Sequence, residues 1–319
     1  MIRQAGRFGV LASAFWLAAC DMPPPTGGEV PRAVPRPLER PAPPEPPEPS
    51  EVSRALALYY ARLEADLLAK GLLRTDSGPR DAPFAARDLA RNFELIAFFD
   101  EYERGAGLRA SSGMPVPLRR WAQPVRVNVE FGPGVSLERR SRDRQVISDF
   151  ATRLSRASRH PVLMDDARPN MHIMFYSEDD RDLLVQRARQ LVPGMSPGAL
   201  SVFRTLPRQI HCFVMAFSGS GAETHVYRQA IVFIRAEHPP LLRDSCIHEE
   251  MAQGLGLAND TPRARPSIFN DDDEFALLTA HDELLLRMLY DPRLRPGMML
   301  DEARPIIATL ADDLMGGGS

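Results

Sequence analysis

The sequence predicts an α/β sandwich, within the α+β or α/β class, built on one twisted mixed sheet with a long helix after its last strand and a helical segment before its first. Val125, Val127, Val129 and Phe131 alternate with Arg126, Asn128 and Glu130, and Met171, Ile173 and Phe175 repeat the pattern, which is the period of half-buried strands. Ala230 to Ile234 is an unbroken apolar run, as expected of a central strand. Segments with apolar spacings of three and four lie between and after these strands, which places helices against a sheet.

The chain begins with a different kind of segment. Arg3 and Arg7 precede an apolar stretch, Phe8 to Ala19, which ends in Leu17-Ala18-Ala19-Cys20. A positive flank, an apolar core far shorter than the roughly 20 residues of a membrane span, and small residues before a cysteine predict a cleaved signal peptide over 1–19. The pattern resembles bacterial lipoprotein signals, which implies a diacylglyceryl group on Cys20 and an anchor in a membrane of the cell envelope, with the protein facing the periplasm. Asp21 resembles an inner-membrane retention signal, and the choice between inner and outer membrane stays open. Over 20–49 prolines crowd a segment with few apolar residues, which predicts a disordered, semi-rigid tether after the lipidated cysteine.

The globular part starts at about Ser50. Val52, Leu56, Tyr59, Tyr60, Leu63 and Leu67 predict a helix ending near Gly71, and a second is expected over Ala85 to Glu103. Gly105 to Pro117 reads as a loop, so 50–117 is expected to be a helical region packing on the main domain. The main domain, 118–300, opens with the strand from Val125. A helix through Ile147, Phe150, Ala151 and Leu154 follows, then the strand at Met171, a helix over Glu178 to Leu191, strands at Ile210 to Phe217 and Val226 to Ile234, and a helix from near Pro239. Residues 301–319 read as a C-terminal helix and a Gly-rich tail.

Composition narrows the function. The formal net charge is only −3, and the basic run Arg139, Arg140, Arg142 and Arg144 has no interleaved aromatics, so it reads as a solvated face and no nucleic-acid partner is expected. Besides Cys20 the chain has two cysteines, Cys212 and Cys246, and an oxidising compartment predicts that they pair.

The chemistry concentrates in Cys246-Ile247-His248-Glu249-Glu250-Met251-Ala252-Gln253-Gly254-Leu255-Gly256-Leu257-Ala258-Asn259-Asp260. A zinc peptidase helix needs histidines at i and i+4 around a glutamate base, but four residues after His248 stands Ala252, which cannot bind a metal. Shifted by one residue, the segment resembles the metzincin pattern His-Glu-x-x-His-x-Leu-Gly-Leu-x-His. That resemblance makes Glu250 the catalytic glutamate and puts Glu249, Gln253 and Asn259 in place of the three metal-binding histidines. It keeps the Leu-Gly-Leu turn, where glycine lets the chain leave the helix. Ser267-Ile268-Phe269 sits where metzincins carry a methionine turn beneath the metal, with Phe269 for methionine, and Leu278-Thr279-x-x-Asp282 through Leu289-Tyr290 resembles their closing helix.

The chain also resembles an uncharacterised domain-of-unknown-function family of secreted bacterial proteins and lipoproteins. The shared pieces are Arg91-Asn92-Phe93, Leu118-Arg119-Arg120-Trp121, the helix end from Glu250 to Leu257, Asn259-Asp260, Ser267-Ile268-Phe269-Asn270-Asp271, and Leu289-Tyr290-Asp291-Pro292-Arg293-Leu294-Arg295-Pro296-Gly297-Met298. This resemblance implies fold and export, and no activity.

The metzincin resemblance implies a remodelled cleft containing Glu249, Gln253, Asn259, Asp260 and Phe269 around Glu250. Oxygen and amide groups at the ligand positions disfavour zinc. No metal or other cofactor is expected; calcium or another hard ion, helped by Asp260 or by Asp271, Asp272, Asp273 and Glu274, is the alternative. That acidic run also reads as a solvated loop capping a helix. His248 and His281 read as packing residues. Three functions remain: a non-catalytic cleft binding a peptide or envelope component, a peptidase-like hydrolase using Glu250, and a structural or assembly lipoprotein whose termini contact partners. Besides the membrane reached through the anchor, the expected partner is a peptide or an envelope protein.

Overall fold

The computed structural model describes residues 46–78, 81–270 and 272–316. The expected signal peptide, Cys20 with nearly all of the tether, Asp271 and the last three residues of the Gly-rich tail lie outside the described residues. Among the described residues six strands form one sheet. β1 (Arg120–Trp121), β2 (Val125–Phe131), β3 (Val162–Met164), β4 (Met171–Tyr176) and β6 (Val226–Arg235) run parallel, and β5 (Cys212–Ser218) runs antiparallel to β6. The pairing order is β1-β6-β4-β2-β3, with β5 on β6. β6 is therefore the central strand that its apolar run predicts, paired with β4 on one side and β5 on the other.

Helices cover both faces. α3 (Leu137–Ser158), α6 (Pro240–Gln253) and α7 (Ala280–Leu289) share a core with Ile173, Phe175, Val232 and Ile234, while α4 (Arg181–Leu191) and α5 (Pro197–Arg204) cover Met174, Ile231 and Phe233. Successive residues of β4 thus point into different cores, and all six are buried. Each fully buried Ile or Phe there stabilises the fold by about 1.5–3 kcal/mol. Ser136, Ser196 and Thr279 cap α3, α5 and α7, their side chains accepting otherwise unsatisfied backbone amides.

The N- and C-terminal helices belong to the same compact unit, Glu45–Ser319. α2 (Ala86–Ala97) and α8 (Leu300–Gly316) pack together, with Leu89, Phe93 and Ile96 in one core with Ala303, Ile307 and Leu310. α1 (Glu51–Ala69) lies against α6 and buries only Ser53, Tyr60 and Leu67, leaving Val52 59 % exposed. Its apolar stripe is wider than the surface it covers. Among the described residues no helix is long and apolar enough to cross a membrane.

Three details depart from the sequence expectations. α2 stops at Ala97 rather than Glu103, because Asp100, Glu101 and Glu103 would put negative charge at the negative end of the helix dipole. The helix expected from Glu178 starts as a single 3-10 turn, with the Asp180 side chain accepting from the Ser177 amide and hydroxyl, and becomes α-helical at Arg181. β1, β3 and α5 lack an expected counterpart, being too short for periodicity to mark them. The basic run on α3 stays exposed or half-exposed, as a solvated face, but its arginines also have partners within the protein: Arg139 donates to the Ala236 carbonyl, Arg140 to Val135, Arg142 pairs with Asp244 and Arg144 with Asp166.

Candidate functional site

A cavity of about 670 Å³ lies between β5, α6, the segment 100–108 and the loop 258–275. Every residue of β5 lines it. Among the described residues β5 pairs with β6 alone, so the outer edge of the strand turns its remaining amides and carbonyls towards the cavity. The Cys212–Cys246 disulfide ties the start of β5 to α6 across a Cα–Cα distance of 5.9 Å.

α6 contributes a stripe at helical spacing. Leu242, Ser245, Cys246, Glu249, Glu250 and Gln253 face the cavity, whereas Ile247 and Met251 enter the core. Glu250 is 4 % exposed, and its Oε2 is buried with no hydrogen-bond partner. Glu249 beside it is half-buried. An oxygen of each carboxylate and the Cys212 sulfur all lie within 4.8 Å of one another. Burial, then the Asp260 carboxylate, pushes both carboxyls well above the usual glutamate range.

The positions assigned to metal ligands by resemblance separate here. Glu249 lines the cavity; Gln253 is there too, its amide donating to both oxygens of Asp260 at 3.2 Å. Asn259 does not join them: it turns to α2 and donates to the Leu95 carbonyl at 2.9 Å. Phe269 is fully buried in the core beneath, while its neighbours Ile268 and Asn270 reach the cavity. Two of the five expected cleft residues are therefore structural, because the chain after α6 must satisfy α2 and fill the core.

The turn after α6 explains how this geometry is held. Trp121 donates from its indole to the Gly254 carbonyl at 2.8 Å, capping the helix, and Gly256 leaves it at φ +131° against the Arg119 carbonyl. Asp282, the third residue of α7, accepts from the Ser267 hydroxyl at 2.5 Å and the Ile268 amide at 3.1 Å, and also from the Thr279 cap. The Ser-Ile-Phe turn is thus fastened to α7.

His248 and His281 lie outside the cleft. His248 stacks on Phe150 with ring centroids 3.8 Å apart, and its Nδ1 accepts from the Leu278 amide at 3.0 Å. Burial pushes its pKa down to about 3. His281, fully buried, meets the Asn92 amide at 3.1 Å.

The acidic run divides. Glu274 pairs with Arg265 and Arg74, Asp273 lines the cavity, and Asp272 accepts from the Glu274 amide; the cap of α7 is Thr279 instead. Two nearby carboxylates and a disulfide sulfur do not make a metal centre: zinc takes imidazole or thiolate, and calcium takes about 6–8 oxygens. Sequence reasoning missed Asp100, Glu101 and Glu103 on the facing wall, and His211 at the start of β5. Acidic residues at an expected helix C-terminus were the available signal for the first three.

Comparison with curated proteins and with solved structures gives no match. The model of the family described as "Protein of unknown function (DUF2927)" matches residues 86–309, from the start of α2 into α8, and the chain belongs to that family.

Proposed function

We propose that the protein is an envelope lipoprotein, anchored through Cys20, whose metzincin-like domain binds an extended peptide or peptide-like envelope component in this cleft without catalysis. The observation that carries the reading is the outer edge of β5, which borders an acidic cavity along its whole length. An extended chain added to such an edge gains main-chain hydrogen bonds, and alternate side chains reach the floor. The antiparallel edge strand beside α6, the Leu-Gly-Leu exit and the Ser-Ile-Phe turn below it support the metzincin-like assignment. The mixed use of Gln253 and Asn259 supports a binding cleft over a metallopeptidase.

The test is hydrogen exchange on the full chain with an extended cationic peptide. Protection of β5 amides is the expected outcome, and unchanged exchange along β5 would overturn the reading. A second reading rests on Glu250 itself: a buried carboxyl with one oxygen, Oε2, left without a partner and a raised pKa is the type of group that acts as general acid or base in a hydrolase. Turnover of peptide mixtures that disappears in Glu250→Gln would establish it.

A further inference from the structure

We propose that the floor of the cleft, formed by Glu249 and Glu250, is an anchor for a primary ammonium group, so that the bound peptide presents a lysine side chain there. The inference rests on the peptide-binding reading above and names what that cleft selects. It starts from an unmet need. Glu250 is 4 % exposed and faces the cavity, yet Oε2 has no partner. Ionising a carboxyl buried without a donor is costly, and a cation supplied by a ligand offsets that cost.

Geometry narrows the cation. Oxygens from the two carboxylates lie within 4.8 Å of each other, so a single ammonium nitrogen at ordinary hydrogen-bond length, about 2.8 Å, can reach both. The ammonium has three donors on one tetrahedral centre, which fits two acceptors on neighbouring side chains. The Cys212 sulfur closes another side within the same 4.8 Å, and as half of a disulfide it contributes bulk and no charge. A calcium ion would need several more oxygens than this floor offers. A guanidinium prefers a coplanar fork to one carboxylate, whereas here one oxygen from each of two carboxylates meets beside the Cys212 sulfur.

Charge around the floor points the same way. Asp260 and Asp273 from the following loop and Glu101 from the facing wall add negative potential. Among the described lining residues the Lys or Arg side chain is Arg104, which pairs with Asp100 and lies over the Tyr227 ring. His211 is kept neutral by burial. A strand laid on β5 places alternate side chains on the same face, so one lysine can descend to the floor while main-chain bonds hold the backbone.

Calorimetry on the full chain in detergent tests this with acetylated, amidated Thr-Val-Lys-Val-Thr and its norleucine and arginine counterparts. The lysine peptide is expected to bind about 30-fold or more tightly than the norleucine peptide, the effect of a buried charge pair. In Glu249→Gln/Glu250→Gln the ratio should collapse to about one, while circular dichroism and Tm verify folding; Glu249→Asp, which keeps the charge and shortens the reach, should reduce the ratio in part. Equal binding of lysine and norleucine peptides overturns the anchor and leaves strand addition standing. Butylammonium binding that is lost in the double variant, with none of the peptides bound, upholds the anchor and overturns the peptide reading. An arginine peptide equal to the lysine peptide, or displacement of the lysine peptide by micromolar calcium, overturns the assignment to a primary ammonium.

Discussion

Glu250 and His248 are two residues apart on α6 and face opposite ways, and burial moves their protonation equilibria in opposite directions. Glu249 and Glu250 hold protons more tightly folded than unfolded, so their contribution to stability is complete below the ordinary glutamate value of 4.5 and is lost as pH rises through the elevated folded values. Glu250→Gln is therefore expected to flatten the fall of Tm as pH rises above 4.5, and to raise Tm on the alkaline side by about 2–4 °C, the effect of roughly 1 kcal/mol in a domain of this size. Differential scanning fluorimetry across that range reads both. His248 behaves with the other sign: its pKa falls from 6.5 to about 3, so its contribution is present above 6.5 and is lost as pH drops towards 3. His248→Leu removes this acid sensitivity and leaves the Leu278 amide unsatisfied, at a cost of about 1–3 kcal/mol at neutral pH by urea denaturation. Sequence reading singled out Glu250, which lines the cavity, beside the Leu-Gly-Leu helix exit. It could not separate Asn259 from Gln253, since the nearest acceptor for Asn259 belongs to α2, 164 residues earlier.

Among the elements, β5 and α6 make the cleft, and two small features hold them. The disulfide closes a loop of 34 residues, which the chain-entropy relation puts at about 3–4 kcal/mol. Cys212→Ser/Cys246→Ser should lose that much in urea and speed hydrogen exchange at the start of β5; exchange unchanged there would show that pairing with β6 alone positions the strand. Gly256 sits at φ +131°, and a Cβ would collide with the Arg119 carbonyl oxygen. Gly256→Ala is expected to cost about 1–3 kcal/mol or more and to broaden the tryptophan emission, because Trp121 caps the same turn. The glycine was legible from the motif. The carbonyl it avoids was not.

The whole molecule extends beyond the strands and helices that alternation marks. α2 and α8 are separated by most of the chain yet share a core, and Arg304 pairs with Glu94 across them. A fragment of residues 118–299 lacks both helices, exposes Leu255, Leu257 and Leu289 of the same core, and is expected to lose a cooperative thermal transition; calorimetry of the fragment beside the full chain checks this. The segment 100–108 that forms the facing wall follows α2 and is tied by Asp100 to Arg119 and by Gly105 to Ser196, so the acidic character of the cavity is a property of the assembled unit.

The sequence by itself determined the strand faces, the central place of β6 and the helix exit with its glutamates, because period, apolar runs and turn glycines are local signals, and it determined the pairing of Cys212 with Cys246 because the globular part holds two cysteines. It also predicts the export signal and anchor, which lie outside the described residues. Only the tertiary structure decided that Asp100, Glu101 and Asp260 share one cavity with Glu249 and Glu250, that β5 leaves an edge open to it, and that Asn259 and Phe269 serve packing. Those outcomes depend on which distant groups meet, and burial, which sets the charge state of the site, exists only once they have met.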